Sequence, residues 1–192
     1  SALAMQQFPL MNLIYADREG NIGYWYNGLI PRRSTDFDWS KPVDGADPRT
    51  EWQGFHKLEE LPQLVNPADG FVQNCNSSPF VTCNSGNPER GLFPRYMCED
   101  ANDDKRRAKR SREMLSAMAD VSFDDVCRAA FDTTVYWAKH ALPEYRRRLD
   151  LLKAENPQLA AEVEPYLNHL FEWDCRIAAD STAATLCAAW YE

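Results

Sequence analysis

The apolar positions of this chain change period about halfway along it. Near the start they form two short runs, Met11 to Ala16 and Ile22 to Asn27, separated by Asp17-Arg18-Glu19-Gly20-Asn21. Leu13 and Tyr15 in the first run, and Ile22, Tyr24 and Tyr26 in the second, alternate as strands with two distinct faces do. Gly20 can take the positive φ that a tight reversal demands, so residues 12–28 are predicted to form a β-hairpin. Both runs are nearly apolar throughout, which predicts cover on both sides. Phe71-Val72 adds a short strand over about 71–75. From residue 103 onward glycine is absent and a 3.6-residue period takes over.

Five helical stretches are predicted in that second half. Asp103 or Asp104 can cap the first, which runs to about Ala119. Ser122 and Asp125 form a capping box for the second, with Val121 as a staple. Its Phe123, Val126, Cys127, Ala130 and Phe131 share one face, so Cys127 is expected to be a buried thiol. The third spans about Thr134 to Lys153 through Pro143, Pro157 opens the fourth, and Asp174 to Trp190 forms the last. Ser1 to Gln7 reads as the tail of a helix stopped by Pro9. The fold class is α+β: an N-terminal β-hairpin and short strands followed by a helical layer. Residues 1–102 form the hairpin and loop-rich segment and 103–192 the helical segment, with a change of layer between them rather than a linker.

Two long loops interrupt the first half. Ile30 to Thr50 is rich in Pro, Asp and Ser, and Trp39 and Trp52 are expected to pin it. Leu58 to Leu61 is a helical turn, and Phe80 to Ala101 is the second loop. With 192 residues and 12% aromatic content the chain can bury a core. Its net charge of −8 argues against nucleic acid as the main partner. The basic run Lys105 to Arg110 has acidic residues on both sides and no interleaved aromatics, which favours a solvated helix face with one or two inward arginines. No apolar run approaches the length of about 18 residues that a membrane helix needs. SALAMQQFPL lacks the basic start of a secretory leader. The 6 cysteines contain no CxxC pair, so no zinc knot is expected; Cys83 and Cys98 flank a loop and could bridge in an oxidising compartment. His56, His140 and His169 stand apart from one another.

The chemistry concentrates at Asn66 to Phe80, NPADGFVQNCNSSPF. Asn66-Pro67 opens a turn and Asp69-Gly70 closes it. Gln73, Asn74 and Asn76 then place three carboxamides in four residues, which is costly if they are buried without partners. An Asn side chain can donate to a developing oxyanion. The plain alternative is a solvated polar turn.

These residues have a familiar order. NLIYADREGNIGYWYNGLIPRR (Asn12 to Arg33) and EWQGFHKLEELPQLVNPADGFVQNCNSSPF (Glu51 to Phe80) resemble consecutive blocks of the penicillin and cephalosporin acylases, which are N-terminal nucleophile hydrolases. FPRYM (Phe93 to Met97) and RAKRSREML (Arg107 to Leu115) follow in the same order. The resemblance implies an amide-hydrolysing acylase and the sheet of an N-terminal nucleophile fold. It implies a serine nucleophile exposed by self-cleavage, with its own α-amine as base through a water. It places the side-chain oxyanion donor at Asn76 and the arginine that orients it at Arg107. Tyr24 and Tyr26 are expected to line the acyl pocket, although plain sheet core explains them equally well. Asn74→Ala is expected to matter less than Asn76→Ala.

The resemblance also implies what this stretch lacks. In the family the nucleophile precedes the hairpin by more than a hundred residues, whereas Ser1 precedes it by about a dozen. Ser1 is therefore not expected to be the nucleophile. The 192 residues resemble the middle of a β-chain, expected to be inactive alone and to work with the remainder of the acylase α- and β-chains on an amide with an acyl side chain. No cofactor is expected, and a family calcium site would be incomplete here. Neither nucleic acid nor membrane is expected as a partner, and the family implies a periplasmic or secreted location. A non-catalytic helical interaction domain is the alternative reading.

Overall fold

The computed structural model describes residues 6, 10–98 and 104–191, in two compact units, Ser1–Ala117 and Met118–Glu192. It is an α+β fold, with an antiparallel sheet first and helices after it. The expected helix tail at Ser1 to Gln7 lies outside the described residues apart from Gln6, whose Nε2 donates to the backbone oxygens of Gly28 and His56 at 3.1 Å each.

The first unit is built on a three-stranded sheet: β1 (Met11–Ala16), β2 (Ile22–Asn27) and β3 (Gln63–Val65), in that spatial order. The β1–β2 reversal is held at its corner. Gly20 has φ +88 and donates to Asp17 O, while the Asp17 carboxylate accepts from the backbone N–H groups of Glu19 and Asn21. In the middle of the sheet Tyr24 lies between Ile14 and Leu64 and is wholly buried. A Cβ on its neighbour Gly23 would come within 2.4 Å of the Trp25 ring, so any larger residue there requires that ring to shift.

Two expectations about the sheet fail. The hairpin is not covered on both sides, because β1 is an edge strand with Ile14 and Tyr15 about half exposed. The third strand is not at 71–75. Leu64 already pairs with Tyr24, so Phe71-Val72 finds no ladder, and Gln73 N–H instead donates to Thr82 O at 3.0 Å. Around the sheet, Ile30, Leu61, Met97 and Cys98 form a core against Tyr26, Phe80 and Phe93. Trp39 is half-buried, with Nε1 donating to Ser34 O at 2.7 Å. Trp52 does not pin the loop, being 59% exposed.

Helix α1 (Arg106–Ser116) belongs to this unit. Its capping differs from expectation. Asp103 lies outside the described residues, and Lys105 is the N-cap, with no side-chain cap. Asp104 is drawn off by Arg112, whose Nη2 donates to Oδ2 at 2.7 Å.

The second unit holds α2 (Phe123–Ala130), α3 (Tyr136–Glu155), α4 (Pro157–Phe171) and α5 (Thr182–Tyr191). Asn156 ends α3 and caps α4, its Oδ1 accepting from Leu159 N–H at 3.1 Å. Ala138, Leu142, Leu170, Cys175, Ala183 and Cys187 form the core between α3, α4 and α5. Burying Leu170 alone contributes about 1.5–3 kcal/mol. Helix α5 starts eight residues later than expected, because Asp174 to Asp180 pairs back instead: Cys175 takes φ +59 and its O accepts from Val135 N–H at 2.7 Å. No strand occurs in the last sixty residues among those described, only an isolated Thr134–Arg176 bridge. The capping box of α2 forms as expected, yet its apolar face meets no core. Phe123 and Phe131 are 80% and 81% exposed, and Cys127 is exposed rather than buried.

Candidate functional site

The carboxamide stretch is a tight loop held by several side-chain hydrogen bonds, with the buried Gln73 Oε1 and Ser77 Oγ left without partners among the described residues. Gln73 is buried, and its Nε2 donates to Val81 O at 2.7 Å. Ser78 caps the 3-10 turn Pro79–Val81, which closes the far end. Between them Asn74 uses both side-chain atoms: Oδ1 accepts from Asn76 N–H at 2.8 Å, and Nδ2 donates to Ser77 O at 3.0 Å. That Asx turn carries Asn76 in the left-handed region, φ +59, which Asn tolerates better than most residues. The plain reading of a solvated turn does not describe this loop, since Gln73, Ser77 and Ser78 are all buried.

Helix α1 is stitched onto the loop from one side. Arg112 Nη1 donates to Val81 O at 3.0 Å. Arg107 Nη2 donates to Cys75 O at 3.0 Å and to Asn76 Oδ1 at 3.2 Å. Lys105 Nζ donates to Asn76 O at 3.0 Å. The basic run therefore turns two of its cations toward one residue. The pairing of Asn76 with Arg107 has a direct consequence. A guanidinium can only donate, so the Asn76 carbonyl oxygen must face it and the NH2 group must face away. Among the described residues Nδ2 makes no hydrogen bond, which leaves one exposed, oriented, uncharged donor.

Tyr24 and Tyr26 sit apart from that donor in character. Tyr24 is closed into the sheet, its Oη donating to Asn12 Oδ1, and burial pushes its phenol far above the ordinary value. Tyr26 is half-buried beside the Ile30–Leu61–Met97–Cys98 core. The cysteines are all unpaired thiols. Burial pushes Cys83 and Cys98 to about 11, so both stay protonated at neutral pH and neither is a ready nucleophile. Among the described residues no group of three or more His, Cys, Asp or Glu could hold a metal ion. Among them, too, no helix is long and apolar enough to cross a membrane.

Each histidine has a partner within its own unit. His140 stacks near Tyr136, and His169 bonds Thr182. His56 is buried, with Nε2 2.9 Å from Tyr96 Oη and Nδ1 3.6 Å from Glu60 Oε2. Burial and the nearby Arg32 guanidinium lower its pKa, more than Glu60 raises it. The unfolded chain therefore takes up the proton first as pH falls. The stability due to neutral His56 is whole above the ordinary histidine value of about 6.5 and is lost as pH falls through the lower folded value. The urea midpoint should drop more between about pH 7 and pH 5 in the parent than in His56→Gln. Equal slopes for the two proteins in that window would contradict this.

The Penicillin amidase family model matches residues 1–192. Penicillin G acylase of Escherichia coli is 38% identical over 76 residues, covering 40% of this chain and 9% of the relative. Penicillin acylase 2 proenzyme of Pseudomonas sp. (strain SE83) is 28% identical over 174 residues, covering 91% of this chain and 20% of the relative. This chain thus spans a fifth or less of the length of these curated relatives. Among solved structures, a thermostable penicillin G acylase from Alcaligenes faecalis superposes with a TM-score of 0.61 at 20% identity, over 88% of this chain and 28% of that one; at that identity the likeness speaks for the fold. Since the family model takes in the whole chain, the chain belongs to the penicillin amidase family.

Proposed function

We propose that this chain is an interior segment of an amide-hydrolysing acylase and that it supplies Asn76 as the side-chain donor to the oxyanion. The observation that carries the reading is the one-way orientation of the Asn76 amide, with Oδ1 on Arg107 and Nδ2 unbonded among the described residues. In this mechanism a serine outside the segment, freed by self-cleavage, attacks the amide carbonyl while its own α-amine accepts the proton through a water. The carbonyl oxygen becomes an oxyanion, and Asn76 Nδ2 donates to it without adding charge to the site. Collapse expels the amine, and water then hydrolyses the acyl-enzyme. Arg107 holds the amide. Tyr24 and Tyr26 contribute to the acyl pocket, Tyr24 from a buried position in the sheet.

The remainder of the α- and β-chains is then the partner, and a periplasmic or secreted location follows by family. The short span of the segment against its relatives supports its being a piece, inactive alone. A second reading, a helical interaction module, draws on the exposed Phe123 and Phe131 of α2. Expression of the complete reading frame, with intact mass spectrometry and an amide panel of differing acyl groups, separates the two. The acylase reading expects an internal cut that leaves an N-terminal serine, together with amide hydrolysis. An uncut chain with no hydrolysis would sink it.

A further inference from the structure

Asn76 has four groups able to hydrogen-bond, and three of them are held. Its N–H is taken by Asn74 Oδ1 at 2.8 Å, its backbone O by Lys105 Nζ at 3.0 Å, and its Oδ1 by Arg107 Nη2 at 3.2 Å. Asn74 is itself fixed at its other end by Ser77 O. We infer that Asn74 and Lys105 are positioning residues that, with Arg107, clamp Asn76 in its left-handed conformation so that only its Nδ2 is presented. The inference rests on the reading of Asn76 as oxyanion donor.

Each part has a separate task. A left-handed non-glycine residue is disfavoured relative to ordinary backbone and persists where the surroundings over-determine it. The Asx turn from Asn74 supplies the local part of that determination. Lys105 supplies the distant part, reaching 29 residues back along the chain. Lys105, Arg106 and Arg107 stand at the N-terminus of α1 with no acidic residue in the first turn, where the helix dipole disfavours cations. Two of these cations, Lys105 and Arg107, reach Asn76. Arg107 fixes which way the amide faces. Lys105 and Asn74 fix where its Cα stands.

Two measurements test this. In the 192-residue chain, Asn74→Ala should raise the hydrogen-exchange rate of the Asn76 backbone N–H by at least about tenfold, since a protected amide becomes locally open. In the complete acylase, Lys105→Met and Asn74→Ala should each lower kcat by about tenfold with KM little changed. That is less than the roughly 100-fold cost of a full 1 Å misplacement. Lys105→Arg should restore most of the loss, because it still reaches Asn76 O. Unchanged exchange in Asn74→Ala overturns the clamp whatever the kinetics show. Raised exchange with unchanged kcat in both variants, while Asn76→Ala is crippled, overturns the positioning role alone. An Asn76→Ala enzyme with parental kcat removes the oxyanion reading and the catalytic half of this inference with it.

Discussion

Asn76→Ala should lower the turnover number of the complete acylase by about 100- to 1,000-fold while leaving KM near the parent value. The amide meets the substrate oxygen best once that oxygen carries charge, so its loss falls on the transition state rather than on binding. The fold should tolerate the change. Asn76 is exposed, and the neighbouring loop is anchored independently by Gln73 on Val81 and by Arg112 on the same carbonyl. Asn76→Asp should be worse than Ala. Its carboxylate can still accept from Arg107, so the side chain keeps its place, but the atom that faced outward as NH2 becomes an acceptor beside the developing negative charge. Steady-state kinetics with an amide whose acylation limits the rate would decide. Parental kcat in Asn76→Ala would return the loop to a purely structural role.

Much of the fold was legible because it is local. The hairpin follows from Gly20 and two alternating runs, and the α2 capping box from Ser122 and Asp125 three residues apart. What failed was long-range. Phe71-Val72 has strand composition, but strand pairing depends on which segment occupies the edge beside Tyr24, and that is Leu64. Asp104 looks like a cap until Arg112, eight residues on, takes it. The apolar face of α2 has the right period for burial, but the period does not say whether a partner is present among these residues. The site divides in the same way. The carboxamide cluster stood out by composition, and Asn76 and Arg107 by resemblance. The part played by Asn74 and Lys105 was hidden. It needs the positive φ of Asn76 and a contact across 29 residues, and Lys105 sat inside a basic run whose simplest reading was solvation.

Arg107→Met should lower kcat by about 100-fold, the cost of letting a reacting group move by about 1 Å. The guanidinium makes two contacts, to Cys75 O and Asn76 Oδ1, and both vanish. The amide is then free to rotate, and half of its orientations present oxygen instead of NH2 to the substrate. That flip alone is worth only about a factor of two, so the larger loss must come from the loosened loop and from the missing polarisation of the amide by a full positive charge. Arg107→Lys should fall between parent and Met, since an ammonium is a point donor and cannot span both acceptors as the planar fork does. The decisive measurement is the double variant. If Arg107 acts through Asn76, removing it from an enzyme that already carries Asn76→Ala should cost almost nothing more, and the two losses should be strongly non-additive. If the losses instead multiply to about 10,000-fold or more, Arg107 has a task of its own, such as holding the substrate. The orientation seen in the structure would then be only part of its purpose.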